Sequence, residues 1–261
     1  MKKAERLTLL NSCRRLVIKI GTQVATTADN RVDTSTLESI VQQVAELIKT
    51  GQRQVILVTS GAVAAGMQVL GWKKRPTSLN YLQAAASVGQ SRLMRVYERS
   101  FRDLGLNVGQ VLLTRDIFRV ATRRANARQT LKTLLEFGVV PIINENDSVA
   151  VEELKFGDND TLAALVTELL SADLLLILTG VRGLYDHDPR SGRAHFISEV
   201  TEFNEKILAL TGANSASRKG LGGIASKLQA AQHVTRRGAV CIIAHGKRPS
   251  VIRSVMAGKP V

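Results

Sequence analysis

Cysteines are few in this chain, and long apolar runs are absent. Cys13 and Cys241 are the two cysteines among 261 residues, which excludes a disulfide framework and predicts two buried thiols in a reducing compartment. No apolar run reaches the roughly 18 residues that a membrane-spanning helix needs. The N-terminal stretch contains Glu5 and Arg14 and has no small-residue cleavage site, so it does not resemble a signal peptide. We therefore expect a cytoplasmic protein with no membrane partner.

Acidic and aromatic residues are also scarce. The chain has 22 acidic against 36 basic residues, a net charge of +14, and only 4% aromatic residues. The basic residues are dispersed in pairs, and stacking platforms for single-stranded nucleic acid are not evident. A solvated basic surface is the simplest interpretation, and steering of anionic small substrates is the functional one. Nucleic acid is not favoured as a partner.

Several signatures of common enzyme classes are missing as well. No G-x-x-x-x-G-K-[ST] occurs, which excludes a P-loop, and no G-x-G-x-x-G follows the first predicted strand. The G-x-S-x-G turn of hydrolases is absent. The four histidines show no metal-ligand spacing, so we predict no metal held by protein ligands alone.

The chain alternates between short apolar runs and segments in which apolar residues recur with the period of a helix. Arg15–Ile20 and Gln54–Val58 read as buried parallel strands on either side of a helical period at 33–50. Further strands are predicted at 108–113, 139–143, 172–179 and 239–244, and a further helix is predicted at 201–211. This pattern predicts βαβ units in an α/β fold with a mostly parallel sheet. We expect one domain over residues 1–261, since this length supplies an ample core.

Two clusters of carboxylates and amides flank one loop. The residues at 144–147 (Asn-Glu-Asn-Asp) end an apolar run, and those at 158–160 (Asp-Asn-Asp) precede the next helical period. Open α/β sheets bind ligands at the carboxyl ends of strands and at helix N-termini. Turn and cap chemistry explains either cluster taken alone. The two together favour a small-molecule site, with the loop at 148–157 as a candidate cover.

Cationic and glycine-rich positions suit the binding of phosphate oxygens. Lys19 lies near the end of an apolar strand, where its ammonium group must reach water or an anion. Gly222-Gly223 precedes a helix that carries Lys227 in its first turn. Small residues at 59–62 let a ligand approach free N–H groups. These features favour phosphoryl transfer, in which a carboxylate acceptor, with a pKa of about 4, needs cations rather than a base.

A series of segments resembles the amino-acid kinase family, and in particular its glutamate-phosphorylating members. The most specific segments are TSGAVAAG (59–66), INEND (143–147) and GDND (157–160). The resemblance implies a three-layer αβα sandwich with a largely parallel central sheet of about eight strands. Glutamate is expected over the N-terminal part and ATP over the C-terminal part. Many members continue into a C-terminal PUA domain, which we do not expect here.

The resemblance also implies a reaction and its residues. The reaction is the Mg²⁺- and ATP-dependent phosphorylation of the γ-carboxylate of L-glutamate, the first step of proline biosynthesis, by a homo-oligomer coupled to glutamyl-phosphate reductase. Magnesium is expected to be held through the ATP phosphates. The implied catalytic residues are Lys19, Lys227, Asp158 and Asp160. The implied glutamate-binding residues are Ser60, Gly61, Ala62, Asn144, Asp147 and Asn159. The implied nucleotide-binding residues are Lys19, Gly21, Thr179, Gly180, Tyr185, Gly222, Gly223, Ser226 and Lys227.

Two positions depart from the family pattern near the implied nucleotide site. Gly180 stands where an aspartate is usual, and Gln23 stands where a serine is usual. Any side-chain contribution at 180 is lost, while backbone contacts survive. The departure at Gly180 motivates one alternative, a non-catalytic homologue, and a sibling kinase that acts on another amino acid such as aspartate is a separate alternative. The presence of Lys19, Lys227, Asp158 and Asp160 favours catalysis.

Overall fold

Six parallel strands form the centre of the computed structural model, which describes residues 3–149, 159–187, 192–210 and 222–259. The strands of this sheet are β1 (Arg15–Ile20), β2 (Gln54–Val58), β3 (Val108–Leu113), β4 (Val140–Glu145), β5 (Leu174–Thr179) and β8 (Val240–His245). Their order is β3-β4-β2-β1-β5-β8, and all five pairings are parallel. Two short strands, β6 (Leu184–Tyr185) and β7 (Phe196–Ile197), form a separate antiparallel ribbon.

Helices cover both faces of the sheet. The helices are α1 (Lys3–Ser12), α2 (Thr22–Ala25), α3 (Thr34–Gly51), α4 (Ala62–Val69), α5 (Leu79–Arg102), α6 (Ala121–Glu136), α7 (Asn159–Leu169), α8 (Glu205–Ala209), α9 (Gly222–Thr235) and α10 (Val251–Met256). One core cluster joins the sheet to α3, α5 and α10, and a second joins its other face to α6, α7 and α9. The three-layer αβα sandwich is therefore confirmed.

The alternating side-chain directions along β1 determine on which face of the sheet Lys19 lies. Leu16 and Ile18 face the cluster that contains α3, α5 and α10, and Val17 faces the cluster that contains α7 and α9. Successive side chains of a strand point to opposite faces, so Lys19 shares the face of Val17. Lys19 is buried there. The strand thus directs the ammonium group towards the layer of α7 and α9.

The strand order reverses next to β1. Strand β2 follows β1 in the chain and pairs on one side, whereas β5 comes much later and pairs on the other. Ligands of open α/β sheets bind outside the carboxyl ends of the strands at such a reversal. The fold therefore places the ends of β1 and β5 at the most favourable position for a ligand.

Helices α4 and α5 pack unusually closely because two glycines allow it. A Cβ atom on Gly66 would lie 1.7 Å from the carbonyl oxygen of Ala85, and a Cβ on Gly89 would lie 1.8 Å from that of Ala62. No side chain fits at such separations. The predicted small-residue segment at 59–62 continues into residues 63–66, and Ala62 and Gly66 thus also serve helix packing.

Most predicted elements are confirmed, and the differences lie at the periphery. Strands at 15–20, 54–58 and 108–113 have the predicted bounds. The predicted sheet of about eight strands appears, in the described part of the chain, as six central strands and the separate ribbon. Of the helix predicted at 201–211, the described residues form the shorter helix α8 (Glu205–Ala209). The loop at 148–157, proposed as a substrate cover, lies almost wholly outside the described residues.

Cys13 and Cys241 are both free thiols; Cys13 is buried, as predicted, whereas Cys241 is only partly buried. Among the described residues, no helix is long and apolar enough to cross a bilayer.

Replacing Gly89 by alanine should lower stability. In an open helix this change gains about 1 kcal/mol of helix propensity, but here the new methyl group overlaps the Ala62 carbonyl. Overpacking typically costs about 1–3 kcal/mol. Urea unfolding should show a loss for Gly89→Ala and none for Ser87→Ala, an exposed control on the same helix. A more stable Gly89→Ala protein would contradict the close packing.

Candidate active site

One buried carboxylate joins two lysines at the carboxyl end of the sheet. Lys19 Nζ lies 2.7 Å from Asp160 Oδ1, and Lys227 Nζ lies 2.9 Å from Asp160 Oδ2. The three residues are 5%, 9% and 2% exposed for Lys19, Lys227 and Asp160, respectively. They come from β1, α9 and α7, so a single ion cluster connects three elements that are distant in sequence. Sequence reasoning predicted all three as catalytic.

The N-terminal turns of α7 and α9 stabilise this cluster. Asp160 lies in the first turn of α7, where the helix dipole favours a negative charge. Ser226 Oγ donates a hydrogen bond to Asp160 Oδ2 at 3.0 Å, and Lys227 Nζ donates to the carbonyl oxygen of Gly223 at 2.8 Å. Burial alone would raise the pKa of Asp160, but the charges of Lys19 and Lys227 outweigh burial and hold this pKa below the usual range. The carboxylate is therefore ionised at neutral pH.

A second cluster consists mainly of amide side chains and includes Asn159, the residue before Asp160. Asn159 Nδ2 donates to the Thr59 carbonyl oxygen at 2.7 Å, to Ser60 Oγ at 3.0 Å and to Asn144 Oδ1 at 3.0 Å. Asn144 Oδ1 also accepts from the backbone N–H of Glu145 at 2.9 Å. The carboxyl ends of β2 and β4 and the first residue of α7 are thereby tied together. Three of the predicted substrate-binding residues meet at this point.

Gln90 is a member of the amide cluster that sequence reasoning did not assign. Its Oε1 accepts from Asn144 Nδ2 at 2.8 Å, and its own Nε2 is buried. Among the described residues, neither Gln90 Nε2 nor Asn159 Oδ1 has a hydrogen-bond partner. Buried amide groups are rarely left unpaired in native proteins. The signal in the sequence was the Gly89-Gln90 pair, since Gly89 brings α5 close enough to α4 for Gln90 to reach β4.

Asp147 lies in the turn after β4 and is half-buried. Burial raises the pKa of Asp147 to about 6, and the charge of Arg75 offsets only part of this effect. The carboxylate is therefore ionised at neutral pH but titrates close to the physiological range. Asp147 follows Asn144 by three residues, which places a carboxylate beside the amide cluster in the chain.

The loop after β2 adds backbone groups. Gly61 has a φ of 111°, a conformation that L side chains rarely adopt, and it precedes the first turn of α4. Ser60 and Ala62, on either side of it, are buried. The predicted Ser60-Gly61-Ala62 segment thus presents a helix N-terminus next to Asn159.

The predicted nucleotide-binding residues follow the ends of β1 and β5 and the start of α9. The backbone N–H of Gly21 donates to the Leu178 carbonyl oxygen at 2.9 Å, which ties the end of β1 to β5. Thr179 is the last residue of β5, and Gly180 follows it. Gly222 and Gly223 begin α9, five and four residues before Lys227.

Two further predictions concern Tyr185 and Asp158. Tyr185 lies in the ribbon of β6 and β7, where its ring packs edge-on against Phe196 at 5.5 Å. Asp158 lies outside the described residues, so its predicted role stays a prediction. In the described part of the chain, no three His, Cys, Asp or Glu residues group as a metal site.

Replacing Asp160 by asparagine should destabilise the fold in a pH-dependent way. The change removes the carboxylate that both buried lysines contact, and breaking a buried pair costs about 3–5 kcal/mol. Because the pKa of Asp160 is lowered on folding, its contribution is fully present above the ordinary value of about 4 and is lost as the pH falls through the lowered pKa.

Urea unfolding between pH 7 and pH 3, in a buffer free of phosphate and sulfate, measures this difference. The stability gap between the original protein and Asp160→Asn should be largest near pH 7 and should shrink in acid. A gap that is absent, or that stays constant with pH, would contradict the account of the cluster.

Comparison with known proteins identifies the family. The model of the amino acid kinase family matches residues 14–245. The chain is 44% identical over 256 residues to a glutamate 5-kinase of Pelobacter propionicus, covering 98% of this chain and 68% of that protein. It is 47% identical over 254 residues to a glutamate 5-kinase of Geobacter sulfurreducens, covering 97% of this chain and 68% of that protein.

Solved structures support the same fold. A carbamate kinase from Giardia lamblia bound to AMP-PNP superposes with a TM-score of 0.67 at 16% identity, covering 96% of this chain and 98% of that one. A UMP kinase from Ureaplasma parvum superposes with a TM-score of 0.60 at 16% identity, covering 95% and 96%. The resemblance drawn from the sequence motifs is thereby confirmed: the chain belongs to the amino acid kinase family, on its glutamate 5-kinase branch.

Proposed function

We propose that the protein transfers the γ-phosphoryl group of ATP to the γ-carboxylate of L-glutamate, giving ADP and γ-glutamyl phosphate, the first step of proline biosynthesis. The observation that carries the proposal is the pair of buried lysines on Asp160, directly beside an amide cluster. An oxygen of the carboxylate forms the new P–O bond, and the bond to the β-phosphate oxygen breaks with its electron pair left on ADP. The acceptor is already ionised, so no proton has to be removed.

The lysines supply what this reaction needs most. Phosphoryl transfer depends on positioning and on stabilising the charge of the transferred group. Two ammonium groups, one on each oxygen of Asp160, can contact phosphate oxygens while the carboxylate holds both in place. Asp160 acts here as a positioning residue, because it acts through Lys19 and Lys227.

The amide cluster suits the amino-acid acceptor. Asn144 and Asn159 are held by several hydrogen bonds each, and Ser60 and the N-terminus of α4 offer further polar groups to a carboxylate. Asp147 supplies a carboxylate for the substrate ammonium group. Acceptor binding and phosphate binding are thus assigned to two adjacent residues, Asn159 and Asp160.

The phosphate side accommodates ATP with Mg²⁺. Magnesium is commonly held by phosphates, water and one or two carboxylates rather than by an all-protein cage, and when bound it neutralises phosphate charge. Asp160 already accepts hydrogen bonds from two lysines and a serine, so the donor set fits a cation held mainly through the phosphates. We propose that Asp158, two residues before Asp160, helps to organise the metal and the lysines. Thr179, Gly180, Tyr185 and the Gly222-Gly223 turn would line the nucleotide.

A trapping assay tests the proposed reaction. With hydroxylamine present, the acyl phosphate gives a hydroxamate whose formation should require both ATP and L-glutamate. L-aspartate should give far less product, which separates this proposal from a sibling kinase. Hydroxamate formation no higher than in an enzyme-free blank would refute the proposal, and ADP binding without turnover would favour the non-catalytic homologue.

We also infer a cellular context. Free Cys13 and Cys241 suit the reducing cytoplasm. Leu112 on the edge strand β3 is 38% exposed and Phe137 at the end of α6 is 77% exposed, which supports burial of this edge in a homo-oligomer. A reactive acyl phosphate needs prompt reduction, which supports coupling to glutamyl-phosphate reductase. Light scattering that detects monomers alone would contradict the assembly.

Lys227→Ala should lower kcat by about 10²–10³-fold, because the ammonium group acts on charge that develops during transfer. The KM for glutamate should change little, since the amide cluster is not touched. Lys49→Ala, an exposed lysine on α3, is the matched control and should keep full activity. An unchanged kcat in a folded Lys227→Ala protein would refute the role of this lysine.

Glutamate binding should weaken in mild acid. The pKa of Asp147 is about 6, so the carboxylate loses its charge, and its attraction for an ammonium group, as the pH falls below that value. The KM for glutamate should rise by up to about tenfold per pH unit below pH 6. Asp147→Asn should have a high KM that no longer varies over this range, whereas Asp103→Asn, an exposed control, should behave as the original protein. A pH-independent KM in the original protein would exclude this role for Asp147.

A further inference from the structure

The two departures from the family pattern, Gln23 and Gly180, lie against each other. A Cβ atom placed on Gly180 would be 2.1 Å from Gln23 Oε1, 3.0 Å from Gln23 Cβ and 3.1 Å from Gln23 Cδ. The side chain of Gln23 therefore occupies the space into which a side chain at position 180 would project. The amide end could swing away, but the Cβ of Gln23 belongs to helix α2 and cannot.

The backbone of position 180 does not itself require glycine. Gly180 is not among the glycines with a positive φ, unlike Gly183 three residues later. An L side chain is therefore compatible with the main-chain conformation. Within the described residues, the steric reason for glycine at this position is the side chain of Gln23.

Gln23 and Gly180 border the phosphate-binding end of the sheet. Gly180 directly follows Thr179 at the end of β5, and Gln23 lies two residues after Gly21 at the end of β1. A Cβ on Gly21 would lie 3.5 Å from Lys19 Nζ, so this turn is adjacent to the ion cluster. Gln23 is exposed, so a bound nucleotide can reach its amide.

We propose that Gln23 faces the bound nucleotide and takes the place of the side chain missing at Gly180, so that the two residues form one coupled unit. This inference rests on the proposed function. A carboxylate at this position can only accept hydrogen bonds and repels phosphates, whereas an amide is neutral and offers both a donor and an acceptor. The chain thus presents a neutral group to a nucleoside triphosphate where the family usually presents an acidic one.

A double-mutant cycle tests the coupling. The variants are Gln23→Ser, Gly180→Asp and the protein with both changes, with Gly180→Ala as a second, uncharged probe of the space. Binding of Mg·ADP is measured by calorimetry, the melting temperature without ligand reports folding, and the KM values for ATP and glutamate report turnover. Gln42→Ser, an exposed glutamine on α3, is the matched control.

The single changes should each weaken ADP binding. Gly180→Asp should raise the Kd for ADP by about tenfold or more, because it displaces the Gln23 amide and adds a like charge near phosphates. Gln23→Ser should raise it about threefold, the loss of one hydrogen bond. The double variant should return to within about threefold of the original protein, since a serine leaves room for the aspartate and can donate to it. Gly180→Ala should weaken binding only when Gln23 is present, and the KM for glutamate should stay constant throughout.

Two results would overturn the inference. Fold changes of the single variants that simply multiply in the double variant would show that the residues act independently. Unchanged ADP affinity in Gln23→Ser would show that this amide does not face the nucleotide. If Gly180→Asp fails to fold, Gly180→Ala in both backgrounds decides the same question. Failure of the original protein to bind ADP would instead refute the proposed function, so the two failures are distinguishable.

Discussion

The contact of one buried carboxylate with two buried lysines is the constraint on which the rest of the site depends. Charges this deeply buried persist only when they are paired and hydrogen-bonded. Asp160 meets this requirement from the first turn of α7, and Lys19 and Lys227 reach it from β1 and α9. The cluster therefore fixes the distance between the sheet and two helices. It also holds two ammonium groups where a phosphoryl group can lie between nucleotide and acceptor.

Two adjacent residues belong to different parts of the site. Asn159 and Asp160 are adjacent at the start of α7, yet the first belongs to the amide cluster and the second to the ion cluster. Consecutive residues of a helix differ by about 100° in direction, so one helix start serves both halves of the site. The amide cluster in turn depends on Gln90, whose position depends on the glycine contact between α4 and α5. Helix packing and acceptor binding are thus linked through a single short segment.

Local patterns in the sequence predicted much of this arrangement, and tertiary packing accounts for the rest. Apolar runs placed β1 and β2, and the lysine in an apolar strand marked Lys19 as unusual. Gln90 was missed because its role depends on a helix crossing far away in sequence. The link between Gln23 and Gly180 could not be read from residues 157 positions apart, although each stood out as a departure. The bounds of α8 were less well predicted because a helix of 5 residues is too short to show a clear apolar period.

The most direct test of the central claim is a crystal structure with L-glutamate and a non-hydrolysable ATP analogue bound together. The account predicts oxygens of the terminal phosphate within hydrogen-bond distance of both Lys19 Nζ and Lys227 Nζ, with Asp160 still contacting both lysines. The γ-carboxylate of glutamate should approach from the side of Asn144 and Asn159. A terminal phosphate bound away from both lysines, or glutamate bound outside the amide cluster, would contradict the account.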